Sequence, residues 1–325
     1  MTLTYLPTDT LIPASVPTMY FIGVTTAQSS IRPVFKQWAR ILNQPDVRLV
    51  GIDLQLDADP SEYRRVVSFI REDELSLGAL VTTHKVQLYR ACMDLFDEVD
   101  AAATTLHEVS CLYKRNQKLF ASAKDPITSG YALDAFLPNN YWEQEPADVI
   151  CLGAGGSALA LASHLSKVAQ NQVRPRRIVV SNRSAERLVD FRGAYDSLGS
   201  GLDLELVQAS SPEINDALVC SAPEGSLIIN ATGLGKDAPG SPLTWDAKFP
   251  MKSYVWDFNY RGDLVFLRQA QAQQAERLLH IEDGWVYFLH GWTQVISEVL
   301  NIAILPSGPG FDELASAARA VRIAR

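Results

Sequence analysis

Apolar residues along this chain fall into short continuous runs separated by stretches with helical spacing. Met19–Val24 (MYFIGV), Arg48–Leu54 (RLVGIDL) and Leu75–Thr82 (LSLGALVT) predict buried strands. Between and after them, Ser30–Leu42, Pro60–Arg71 and Val86–Phe96 predict helices. The first places Val34, Trp38, Ile41 and Leu42 at helical spacing, and the last puts Leu88, Cys92 and Leu95 on one face. Residues 1–17 hold three prolines and few periodic positions, and read as an irregular arm. Pro138-Asn139-Asn140 marks a loop. A second series follows. Asp148–Leu152, Arg177–Ser181, Leu202–Val207, Ser226–Asn230 and Tyr254–Phe258 predict strands, with Arg277–Ile281 a sixth candidate. Helices are expected from Ala158 to about Val168 and over Ala185–Tyr195. Tyr287–Leu300 and Asp312–Ile323 close the chain as two helices around Pro306, Gly308, Pro309 and Gly310.

Strands alternating with helices predict an α/β fold with mainly parallel sheets. The length of 325 residues suggests about two domains. With 47% hydrophobic and 20% charged residues, disordered, collagen-like and coiled-coil chains are excluded. The net charge of −8 argues against a phosphate-backbone polymer as partner, so nucleic acid is not expected. Cys92, Cys111, Cys151 and Cys220 form no C-x-x-C pair. Neither a disulfide framework nor a metal site is therefore expected, and a reducing, cytoplasmic setting fits best. No signal peptide is evident, and no apolar stretch approaches the ~18 residues of a membrane span. The longest weakly polar run, Val149–Ala162, is broken by three glycines.

The first feature with chemistry is Gly153-Ala154-Gly155-Gly156-Ser157-Ala158. It follows an apolar strand and opens a helix, the context in which a glycine turn lets a pyrophosphate approach backbone N–H groups. A plain strand–helix turn is the alternative. The second is Ser181-Asn182-Arg183-Ser184, at the end of the next strand, with Arg187 one helical turn beyond. No acid stands where a ribose 2′-hydroxyl would be held. A guanidinium there suits a 2′-phosphate, so NADP(H) is expected in preference to NAD(H). Two solvated surface arginines are the alternative. The third is Asn230-Ala231-Thr232-Gly233, which ends the fourth strand and brings small residues toward the same place.

Together these motifs resemble the shikimate/quinate dehydrogenase family, over roughly residues 19–300. GAGGSA (Gly153–Ala158), NRSAER (Asn182–Arg187) and NATG (Asn230–Gly233) stand in the family's order and spacing. Asp257-Phe258-Asn259-Tyr260 resembles its D-x-x-Y segment and Asp283-Gly284 its D-G. Leu80–Lys85 resembles N-V-T-x-P-x-K, one residue short, and Ala123-Lys124-Asp125 resembles N-T-D. The resemblance implies an N-terminal α/β substrate domain over residues 1–135, completed by helices in 285–325. It implies a Rossmann-like doubly wound NADP domain over residues 136–284. It further implies a catalytic Lys85–Asp125 dyad for hydride transfer between NADP(H) and a secondary alcohol or ketone. Cofactor contacts fall on Gly153, Gly155, Gly156, Ser157, Ala158, Asn182, Arg183, Ser184, Arg187, Thr232 and Gly233. Candidate substrate contacts are Ser29 and Thr82, within the matching segments, Ser110 and His290, which are polar candidates outside the family pattern, and Tyr260, with capping of the cofactor cleft as its alternative. The partner is a small molecule, with no nucleic acid and no membrane; a homodimer is left open.

The departures from the family pattern bear on the substrate. Ser29 matches the first serine of a carboxylate clamp, but Ile31 replaces the second. Leu80, Ser110 and Ala123 replace asparagines, and Gly291 replaces a glutamine. Each unmet polar contact costs about 1–3 kcal/mol. A small, cyclic, carboxylated substrate, less hydroxylated or held by other groups, is therefore expected. Arg32 and His84 are further polar candidates, against a surface arginine and a structural histidine. Trp285 and Trp292 are candidate apolar walls, against plain core packing. Shikimate or quinate itself, or a non-catalytic dinucleotide-binding sensor, are the rival expectations.

Overall fold

The computed structural model describes residues 5–7, 11–144, 147–169, 174–236 and 238–323. They form two compact units. One comprises residues 1–124 with 291–325, the other residues 125–290.

The first unit runs β1 (Tyr5–Pro7), β2 (Thr18–Gly23), α1 (Ile31–Ile41), β3 (Arg48–Asp53), α2 (Pro60–Glu72), β4 (Ser76–Val81), α3 (Lys85–Cys92), β5 (Glu98–Val99), α4 (Ala101–Leu106), β6 (Cys111–Arg115) and β7 (Lys118–Ser122). Its sheet has the order β1-β3-β2-β4-β6-β7-β5. β2, β3 and β4 are parallel, so their C-terminal ends, at Gly23, Asp53 and Val81, share one edge. β2 is buried along its whole length, as its unbroken apolar run requires.

Two features depart from the expected pattern. The N-terminal arm is not wholly irregular, because Tyr5–Pro7 pairs in parallel with β3. A strand containing proline is tolerated there because it lies at the sheet edge. The sheet is also mixed, since β6 runs antiparallel to both β4 and β7. The β6–β7 hairpin turns through Asn116 and Gln117, with φ of 49° and 64°.

The second unit runs α5 (Asp125–Phe136), α6 (Tyr141–Gln144), β8 (Val149–Leu152), α7 (Gly156–Ala169), β9 (Ile178–Asn182), α8 (Ala185–Asp196), β10 (Leu204–Gln208), α9 (Pro212–Cys220), β11 (Leu227–Asn230), β12 (Tyr254–Asp257), α10 (Val265–Gln271), α11 (Gln274–Arg277) and β13 (His280–Glu282). All six strands are parallel, in the order β10-β9-β8-β11-β12-β13. The order reverses at β8, and a crevice opens beyond the strand ends at such a switch point. β8 reads as one apolar run because both of its faces are buried. Val149 and Cys151 enter one core with Leu161 and Trp256, and Ile150 and Leu152 enter the other with Phe249 and Phe266.

Two last helices complete the chain, α12 (Trp285–Leu300) and α13 (Pro309–Ile323). The division between units falls inside α12, at His290–Gly291. α13 packs on α1, where the buried Trp38 donates its indole N–H to the Leu314 carbonyl at 2.8 Å.

Candidate active site

The crevice of the second unit is built from backbone outward. β8 ends at Leu152, and Gly153 turns the chain with φ +116°, a conformation that side chains with a Cβ rarely adopt. Its N–H donates to the Ser181 carbonyl at 2.8 Å, holding the turn to the end of β9. A Cβ on Gly153 would lie 2.8 Å from both the carbonyl carbon and oxygen of Ala231, so the turn closes against the loop after β11. Above Gly155 there is open space, with nothing within 4 Å of where a Cβ would stand. Gly155 and Gly156 are exposed, Ser157 half-buried and Ala158 packed in the core. The open space lies at the N-terminal, positive end of α7.

Beside this turn lies a cleft of about 370 Å³, lined by Gly153, Asn182, Arg183, Ser211, Asn215 and Thr232 among others. Asn182 accepts the Ser184 N–H at 2.9 Å, and Ser184 Oγ caps α8 by accepting the Arg187 N–H at 3.3 Å. This local network presents Arg183 and Arg187, both exposed, at the end of β9. Thr232 is half-buried and Gly233 exposed on the opposing loop. The cleft therefore gathers Gly153, Asn182, Arg183 and Thr232, four residues expected to touch the cofactor.

Its third wall was not legible. Ser210, Ser211 and Pro212 line the cleft after β10, and Asn215 lies behind them. Ser181 Oγ donates to Asn215 Oδ1 at 2.7 Å, and Asn215 Nδ2 donates to the Pro242 carbonyl at 3.0 Å. The Ser-Ser-Pro run before a helix was the available signal, since proline favours the first helical turn.

In the first unit the candidates cluster at the C-terminal ends of β2, β3 and β4. Thr82 follows β4 and donates its hydroxyl to the Ile22 carbonyl at 3.2 Å. Lys85 opens α3, half-buried, and its backbone bridges Thr82 (3.2 Å) and Val109 (3.1 Å). Thr26 caps the same edge through Asp53 Oδ1, at 2.8 Å from its N–H and 2.5 Å from its hydroxyl. Ser29 is half-buried before α1, with its Oγ accepting the Ile31 N–H at 3.4 Å. Arg32 donates to the Ala27 carbonyl at 2.9 Å.

His84 resolves into a structural residue. It is 1% exposed, with Nε2 3.1 Å from the Leu54 carbonyl and Nδ1 3.0 Å from Tyr63 Oη. A carbonyl only accepts, so Nε2 carries the proton and Nδ1 accepts from the tyrosine. Burial lowers its pKa and keeps the ring neutral.

Ser110 is 3% exposed, and its Oγ accepts the Lys124 N–H at 2.7 Å. It thereby holds the backbone immediately before Asp125. Lys124 is further tied to Glu298 on α12 at 2.7 Å. Asp125 is half-buried at the first position of α5. In the second unit, the half-buried Tyr260 packs against Trp285 (5.5 Å) and Phe288 (4.8 Å). His290 is buried 5.6 Å from the Tyr131 ring, and burial lowers its pKa to about 4. Trp292 lies edge-on to Phe21 at 5.0 Å, within the core of the first unit. Among the described residues no His, Cys, Asp and Glu group suits a metal ion, and no helix is long and apolar enough to cross a membrane.

No family model matches the chain. A shikimate dehydrogenase (NADP(+)) of Symbiobacterium thermophilum is 26% identical over 218 residues, covering 66% of this chain and 68% of that protein. The structure of shikimate dehydrogenase from Aquifex aeolicus superposes with a TM-score of 0.70 at 19% identity, covering 96% of this chain and 99% of that one. The chain is similar to shikimate dehydrogenases in sequence and shares their fold. Quinate dehydrogenase from Corynebacterium glutamicum, solved with NAD, shares the fold at a TM-score of 0.70 and 17% identity, over 94% of this chain and 99% of that one. The shared fold accounts for the crevice at β8.

Proposed function

We propose that the protein is an NADP(H)-dependent oxidoreductase that interconverts a secondary alcohol and a ketone on a small, cyclic, carboxylated substrate. The observation that carries the cofactor half is Arg183, exposed on the wall of the cleft beside Gly153, with no acid at the end of β9. Gly155, Gly156 and Ser157 would hold the pyrophosphate, Asn182, Arg183, Ser184 and Arg187 the 2′-phosphate side, and Thr232 and Gly233 the opposing face. When bound, the nicotinamide supplies the hydride acceptor for oxidation and the hydride donor for reduction.

Lys85 is the proton relay. As a free amine its Nζ takes the hydroxyl proton during oxidation, and as an ammonium it returns that proton during reduction. Asp125 anchors a substrate hydroxyl. Ser29 and Thr82 are candidate hydroxyl contacts to the substrate.

The substrate is less hydroxylated than shikimate, or is held by other groups. Three packed apolar side chains support this: Ile31 is 0%, Ala123 1% and Leu80 6% exposed, and none offers a polar atom. Gly291 has open space beside it, with nothing within 4 Å of a would-be Cβ. The names of the relatives favour a second reading, turnover of shikimate or quinate themselves.

Steady-state assays following NADPH absorbance decide between them. The panel is shikimate, quinate and cyclic hydroxy acids lacking one or two of their hydroxyls. The highest kcat/KM is expected on a less hydroxylated acid. A highest kcat/KM on shikimate or quinate establishes the second reading. NADPH binding without turnover of any alcohol or ketone overturns both in favour of a sensor.

A further inference from the structure

The end of β11 and the end of β12 are joined by a buried polar network centred on Asp257. Asn230 and Asp257 are register partners on neighbouring strands, and both are 0% exposed. Asp257 Oδ1 accepts the Asn230 Nδ2–H at 3.1 Å and the Asn259 backbone N–H at 2.9 Å. Its second oxygen, Oδ2, is buried and accepts no hydrogen bond among the described residues.

This arrangement dictates which way the Asn230 amide points. Asp257 Oδ1, which already accepts the Asn259 N–H, is an acceptor and so faces the amide nitrogen rather than the amide oxygen. Asn230 Oδ1 is then turned toward Thr232, where it accepts the backbone N–H at 3.0 Å and the hydroxyl at 2.6 Å. Turned the other way, the amide would set a donor against two donors. Asn259 secures the loop from its far side. Its Nδ2 donates to the Thr232 carbonyl at 3.1 Å and the Leu234 carbonyl at 3.2 Å. Thr232 lines the cleft, and its N–H lies 3.1 Å from where a Cβ on Gly153 would stand. The loop therefore has little room to move against the glycine turn.

We propose that Asp257 is a positioning residue for dinucleotide binding: through the Asn230 amide it fixes the Thr232 wall of the cleft. The inference rests on the dinucleotide reading of that cleft. Burial pushes the Asp257 carboxyl up to about 7, against the pull of its Asn259 and Asn230 hydrogen bonds and with the help of the nearby Asp283 charge. A neutral group that keeps one acceptor at Oδ1 is therefore the right replacement.

The test is the Kd for NADPH, read by fluorescence titration of the full chain, for Asp257→Asn, Asp257→Ala and Asn230→Ala. Asp257→Asn keeps the Oδ1 acceptor and is expected to stay within about threefold of wild type. Asp257→Ala and Asn230→Ala are expected to weaken NADPH by about tenfold or more, by leaving Asn230 or Thr232 unmatched. The substrate KM at saturating cofactor should move less than the Kd. Asn230→Ala carries the comparison if Asp257→Ala does not fold. A folded alanine variant with wild-type Kd overturns the proposal, as does Asp257→Asn binding as weakly as Asp257→Ala. Failure of the wild type to bind NADPH overturns the dinucleotide reading instead.

Discussion

Gly153 and Ala231 stand so close that a Cβ on the glycine would come within 2.8 Å of the Ala231 carbonyl. Two strands that are not consecutive in sequence, β8 and β11, thereby meet backbone to backbone at the floor of the crevice. Any side chain at 153 must push the loop after β11 outward, and must also adopt a φ of +116°. Gly153→Ala is expected to weaken NADPH binding at least about tenfold and to destabilise the fold by about 1–3 kcal/mol. NADPH titration beside a thermal melt checks both, and a variant that binds like wild type would contradict the assignment of this turn.

Arg183 is exposed, so its removal should leave the fold intact within about 0.5 kcal/mol. Its value lies in a charge-assisted pair with a 2′-phosphate, worth about 1.5–3 kcal/mol. Arg183→Ala is expected to weaken NADPH by about tenfold or more and to change NADH little. Equal losses for the two cofactors would mean that the guanidinium does not read the phosphate.

Asp257 makes stability depend on pH in an unusual direction. Its carboxyl sits at about 7 in the fold, raised by burial from an ordinary 3.8. The folded state therefore holds a proton that the unfolded chain releases, and stability falls as pH rises between those values. Asp257→Asn removes this loss. Melting temperatures at about pH 5 and about pH 8 should show the variant gaining on wild type as pH rises. A gap that stays constant across that window would show that the carboxyl does not titrate there.

What was legible depended on how local the signal was. The turn at Gly153 is written in consecutive residues, so strand, turn and helix were read together. β8, β9, β11 and β12 declared themselves by continuous apolar runs, because both faces are buried. The β6–β7 hairpin did not, because Asn116 and Gln117 take positive φ without the glycine that usually announces such a turn. α5 lacked a one-sided apolar stripe. It buries Thr128, Ser129 and Gly130 alongside Ala132 and Leu133, with Gly130 leaving room for His164 of α7. β1 is held by pairing with β3 rather than by a pattern of its own. At the site, His84 stood open between relay and structure until its partners, Tyr63 and Leu54, were known. Asp257 was visible only as part of a motif, since its role depends on Asn230, a neighbour through sheet register alone.

The measurement that bears most directly on the account is turnover of Lys85→Ala, followed by NADPH absorbance with the best substrate of the panel, beside its Kd for NADPH. Lys85 lies at the end of β4 in the first unit, whereas the dinucleotide cleft belongs to the second. The expected result is a loss in kcat of about 10²–10⁴-fold with an unchanged Kd. A variant that turns over at the wild-type rate would contradict the assignment of Lys85 as the proton relay.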